Sequence, residues 1–221
     1  MNIADLLSMA IYYELADNDT PDVFTWDKKT MRYRSKTTGK FVAKRTIESL
    51  GDNYIDNNVV PRMEKLTQKL IDGDLRLENW QQSMAKEIKD AWIVELQIGA
   101  GGRGQLTQVD YGRMGARLRE QYKYLNQFAQ EINASGGPSA NQIMARVKQY
   151  GRGARTAYYD GQGEAAKKSE YTEERRVTTP AEHCDDCLGY EAEGWQPIGY
   201  FPKPGIASAC GNNCKCRMEY R

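Results

Sequence analysis

LENWQQSMAKEIKDAWIVEL, residues 77–96, places Trp80, Met84, Ile88, Trp92 and Leu96 four positions apart. That spacing puts large apolar side chains on one face of an α-helix, whereas a half-buried strand would need a period of two. The neighbouring sequence repeats the signal. Thr107 and Asp110 have the spacing of a capping box at the start of LTQVDYGRMGARLREQYKYLNQFAQEI, whose apolar face runs through Tyr111, Met114, Leu118, Leu125 and Phe128. Ser139 and Gln142 open SANQIMARVKQYG in the same way. A further helix is expected over ARTAYYDGQGEAAKK, weakened by Gly161 and Gly163. Upstream, Pro61 suits the first turn of a helix through PRMEKLTQKLI. The expected fold class is mainly α: an elongated helical body with a small N-terminal β-hairpin and a loop-rich C-terminal module.

Boundaries follow composition. An acidic N-terminal helix is expected over 1–22, a basic hairpin over 23–45, the helical body over 46–170 and the C-terminal module over 171–221. In TMRYRSKTTGKFVA, Met31 and Tyr33 alternate with Arg32 and Arg34, SKTTG turns, and Phe41 and Val42 resume the strand. Arg32, Arg34, Lys36 and Lys40 are the candidates for touching phosphate or an acidic partner surface. The plainer reading is a solvated hairpin whose lysines guard its edges. Beyond Glu170 the helical period stops, and proline, glycine and aromatics take over. A module of that size needs a staple.

Composition narrows the function. The chain has 221 residues, and its 31 basic and 30 acidic side chains nearly cancel, so no global charge points to nucleic acid or membrane. No apolar run reaches the roughly 18 residues of a membrane helix, and no secretory signal pattern opens the sequence. A soluble protein made in a reducing cytosol is expected. GAGGRG, residues 99–104, has the glycines of a dinucleotide fingerprint but follows a long helix instead of a strand. It reads as a helix–helix connection with a tight reversal.

The chemistry is gathered at the C-terminal end of the sequence. All five cysteines and the one histidine lie in HCDDC (183–187) and CGNNCKC (210–216). An odd number of cysteines fits a disulfide framework poorly, and no βαβ context supports a redox Cys-x-x-Cys. Two short turns separated by a loop are the usual way to present four thiolates to zinc. Cys184 and Cys187 form the first pair; Cys210, Cys214 and Cys216 offer the second, with Gly211, Asn212 and Asn213 suited to the turn. Which four of the five bind is open. His183 adjoins Cys184, which makes simultaneous ligation awkward, and it is not counted as a ligand. A catalytic zinc keeps a position open for water and needs a base beside it. With five thiols the site can close, so a non-enzymatic, structural zinc is expected. Its removal should unfold only the tail beyond about residue 175. Asp185, Asp186, Glu191 and Glu193 are the carboxylates nearest the metal, and a solvated acidic loop is the simpler reading of them.

VTTP, CDDC, the loop that follows and the terminal NNCKCRMEY resemble the C-terminal module of phage head morphogenesis proteins, the Mu-type minor head protein family. The close match runs from Val177 to Cys216; the helical body agrees in kind. Cys184, Cys187, Cys214 and Cys216 fall on the family's cysteines. Cys210 lies near the place of the family's histidine, and Lys215 stands for its arginine. The resemblance implies a virion component, made in the host cytoplasm and present in several copies. Its partners would be portal or capsid subunits, and it could contact packaged DNA. A helical nucleic-acid-binding protein with a zinc module is the alternative. Trp195, Tyr200 and Phe201 lie between the cysteine groups, either filling the module's core or, Trp195 above all, anchoring it to a partner. The hairpin is expected at one end of the molecule and the cysteine module at the other.

Overall fold

The long helix expected from the opening stretch runs Leu77–Ala100 and is the central element of the computed structural model, which describes residues 24–221. The expected helix over 1–22 lies outside them. In chain order, β1 (Phe24–Asp27), β2 (Arg32–Ser35) and β3 (Phe41–Val42) precede α1 (Lys44–Tyr54) and α2 (Val60–Ile71). Then come α3 (Leu77–Ala100), α4 (Gln108–Asn133), α5 (Ala140–Gly153) and α6 (Arg155–Lys167). The C-terminal part holds β4 (Glu173–Val177), α7 (Asp185–Ala192), β5 (Gln196–Pro197) and β6 (Arg217–Tyr220). The fold is mainly α. No helix among the described residues is long and apolar enough to cross a membrane.

The heptad-like face of α3 buries Trp80, Met84 and Ile88 completely, and they meet Met114, Leu118, Leu125 and Phe128 of α4 in one core. Burial of each such side chain is worth about 1.5–3 kcal/mol. Both capping boxes form: the Thr107 amide donates to Asp110 Oδ2 at 2.7 Å, and the Ser139 amide to Gln142 Oε1 at 2.8 Å. Pro61 lies in the first turn of α2, which continues from α1 through a π-helical turn at Ile55–Val59. The reversal expected in GAGGRG is made by Gly101 and Gly102, with φ of 84° and 109°.

Two expectations need revision. The N-terminal hairpin is a three-stranded antiparallel sheet, because Phe24–Asp27 adds a strand to the side of β2 away from β3. Nor does it sit at the end opposite the cysteine module. Phe24 and Tyr33 of this sheet share a core with Phe201 and Met218 of the C-terminal part, completed by Ile47, Val94, Ile98, Tyr158 and Tyr159. Lys44 Nζ donates to the Met218 carbonyl, and Tyr33 Oη to that of Gly99 at 2.7 Å. Of the apolar residues in the alternating pattern, Tyr33 is buried while Met31 and Phe41 are exposed, and the pattern carried no information about which distant residues Tyr33 would meet.

The C-terminal part is not loop alone. β4 is central in a second antiparallel sheet, between β5 and β6, with Arg176 opposite Met218. Its inward-facing residues are Glu174 and Arg176, both fully buried. Glu174 is satisfied by Lys203, 2.6 Å away, and by the amide of Phe201. Charged inward positions are why EERRV does not read as a strand.

Candidate metal centre

The two cysteine-bearing segments are held against one another before any sulfur is considered. Cys184 caps α7 in extended conformation (φ −77°, ψ 162°), and its carbonyl accepts from the Cys187 amide at 3.0 Å. This turn aims Cys184 and Cys187 to one side. The second segment makes a 3₁₀ turn over Gly211–Asn213, entered through Gly211 at φ 47°, a left-handed angle that favours glycine. Asp186 Oδ2 accepts from the Ala209 amide at 2.8 Å, tying the first turn to the second. Asn212 donates to the Gln149 carbonyl, and Tyr159 Oη to that of Cys216, so the helical body carries the second turn.

All five cysteines converge, and none is in a disulfide. Cys187 is the hub, with Cys184 and Cys210 at 3.5 Å and Cys214 at 3.8 Å, sulfur to sulfur. Four thiolates around a zinc ion at about 2.3 Å stand about 3.8 Å apart, so these separations suit ligands of one ion. The donor atoms of Cys184, Cys187 and Cys210 lie within 4.8 Å of one another. So do those of His183, Cys187 and Cys216. The cluster can hold a metal ion.

The residue that sequence reasoning missed is Arg176. Its guanidinium is fully buried and donates to Cys214 Sγ at 3.0 Å and to Cys187 Sγ at 3.5 Å. It also reaches the Pro202 carbonyl and Ser208 Oγ, and lies over the Tyr190 ring. A buried guanidinium demands anionic or strongly accepting partners, and thiolates supply them. One thiol responds in kind: Cys214 is held far below the ordinary thiol range, first by the hydrogen bond from Cys216 and further by the Cys216 amide and Arg176, while burial raises Cys187. Two consecutive arginines in an unpatterned segment offered no signal for this role.

The other candidate residues are placed as follows. His183, set aside on its adjacency to Cys184, has Nδ1 3.7 Å from Cys216 Sγ. Among the acidic residues, Asp186 bonds Ala209, Glu191 accepts from the amide and hydroxyl of Thr178, and Glu193 accepts from Tyr200 Oη. These three carboxylates serve as structural acceptors. The guanidinium groups of Arg175 and Arg221 both lie over the Trp195 ring, at 4.7 and 4.5 Å. Phe201 is buried in the shared core, while Tyr200 is exposed. In the hairpin, Arg34 pairs with Asp27 at 2.9 Å, and Arg32 and Arg34 both cover Phe41. Lys36 and Lys40 are on the exposed turn side. The side-chain contacts of Arg32 and Arg34 are made within the N-terminal sheet and its turn.

The fold and site together define a mainly α protein with a cysteine-rich centre of metal-binding character. No protein-family model, curated protein or solved structure matches the chain.

Proposed function

We propose that the protein is a non-enzymatic structural component of a phage particle, a minor head or portal-proximal neck protein, whose cysteine module is stapled by zinc. The observation that carries the reading is the convergence of five thiols from two segments, two of which accept from a buried guanidinium. Thiolate-rich centres of this kind select zinc over hard cations. A site closed by thiolates leaves no position for a reacting water, and the nearby carboxylates hold backbone and hydroxyl groups instead. The order of helical body, Thr-Pro step, Cys-x-x-Cys and terminal cysteines supports assignment to the minor head class by resemblance. Portal or capsid subunits are then the partners, several copies enter each virion, and packaged DNA is a further contact.

The nucleic-acid-binding alternative has less support, since Asp27 already neutralises Arg34. Arg32, Arg34, Lys36 and Lys40 are the residues through which DNA would be met.

Purified particles provide the test. The wild-type chain is expected in virions and to bring zinc with it, while Cys187→Ser should be lost from particles with its helical content nearly unchanged. A wild-type chain absent from virions, or a Cys187→Ser chain incorporated as well as wild type, would overturn the reading.

A further inference from the structure

We propose that the cysteine centre is built for two metal ions sharing thiolate bridges, with His183 and Cys216 holding the second. This rests on reading the cysteines as a metal centre, and it concerns the number of ions that centre takes. The two sets of mutually close donors, Cys184 with Cys187 and Cys210, and His183 with Cys187 and Cys216, have Cys187 in common. Cys214 adjoins the shared donor, 3.8 Å from Cys187 sulfur to sulfur.

One tetrahedral ion takes four donors and would strand two of the six, including the fully buried Cys216. Two tetrahedral ions have eight positions between them. Six donors fill all eight when two of the thiolates bridge: Cys187, common to both sets, is one, and Cys214, its neighbour at 3.8 Å, is assigned as the other. Cys184 and Cys210 complete the first ion; His183 and Cys216 complete the second.

The histidine is prepared for this. Its Nε2 is 2.7 Å from the Thr179 carbonyl oxygen and 3.3 Å from the Thr179 amide nitrogen, and the shorter contact assigns the proton to Nε2. The lone pair is therefore on Nδ1, the atom 3.7 Å from Cys216 Sγ. A backbone carbonyl that fixes the tautomer in this way is the usual outer partner of a ligating imidazole. An imidazole nitrogen and a thiolate on one zinc are about 3.6 Å apart. The adjacency of His183 to Cys184 is no obstacle, because the extended backbone at Cys184 sends successive side chains to opposite sides. Each side meets a different ion.

Charge agrees. Five thiolates, two divalent cations and the Arg176 guanidinium sum to zero, so two ions would let every thiol of the cluster ionise without leaving net charge in it. Mixed thiolate and imidazole donors suit zinc.

Native mass spectrometry of the full chain, dialysed against metal-free buffer, should count two zinc ions. Loaded with ¹¹³Cd, the protein should give two resonances, one for an all-sulfur site and one for a site with a nitrogen donor. His183→Ala should lose one ion and the second resonance and keep the first. One zinc per wild-type chain would overturn the proposal and leave a single structural zinc standing; no metal at all would overturn both. Two ions retained in His183→Ala, or iron with acid-labile sulfide in place of zinc, would also overturn it.

Discussion

Glu95 shows how far burial can move the chemistry of one side chain. It lies on α3, buried against α1, with Oε1 lacking any hydrogen-bond partner. Gly51 makes room for it, since a Cβ there would stand 2.8 Å from Oε2. Burial pushes the Glu95 carboxyl up to about 8, with Asp52 adding to the shift and Arg155 opposing it. The folded chain thus keeps a proton that the unfolded chain releases near 4.5. Stability from this group is complete below the unfolded value and falls as pH rises between the two, by on the order of 1.4 kcal/mol per pH unit. It is lost once pH has passed the folded value. Glu95→Gln should therefore raise the melting temperature more at pH 8 than at pH 5. Thermal melts at both values check this, and an equal shift at both would show that Glu95 is ionised in the folded protein.

At the scale of elements, the contact that organises the body is the crossing of α3 and α6. A Cβ at Gly161 would overlap the Leu96 carbonyl oxygen, and one at Gly99 would overlap that of Tyr158. The two helices approach through their backbones at these positions. On propensity alone Gly161 weakens its helix, and replacing it with alanine would gain about 1 kcal/mol. The packing reverses the sign. Gly161→Ala should destabilise the protein by roughly 1–3 kcal/mol, as overpacked cores do. Denaturant unfolding measures it, and a stabilised variant would mean that the helices can separate without loss.

For the whole molecule, the shared core joins hairpin, body and cysteine module into one network. The expectation that metal loss frees only the tail beyond residue 175 has to be widened. Met218 and Phe201 pack with Phe24 and Tyr33, and Tyr159 holds the Cys216 carbonyl. Chelation should then raise hydrogen exchange in β1 and β2 as well as in β4 and β6, with α2 and the first half of α3 protected as before. If exchange rises only beyond residue 175, the shared core holds without the metal, and its contacts with the module are dispensable.

The sequence by itself determined the helices, their caps and the membership of the thiol cluster, because those depend on neighbours within one or two turns. A four-residue apolar spacing needs only a partner face of any kind, and Thr107 finds Asp110 within three residues. Cysteines brought together by two short turns are equally local in their signal. Tertiary structure alone decided which faces meet, because period and propensity are blind to distant partners. Gly161 counted as a weakness until Leu96 lay against it. Arg176 carried no signal until Cys187 and Cys214 lay against it. His183 seemed excluded by its neighbour until the extended backbone at Cys184 turned the two apart. In each case the deciding energy, steric overlap, desolvated charge or ligand direction, arises between residues that the chain brings together only when it folds.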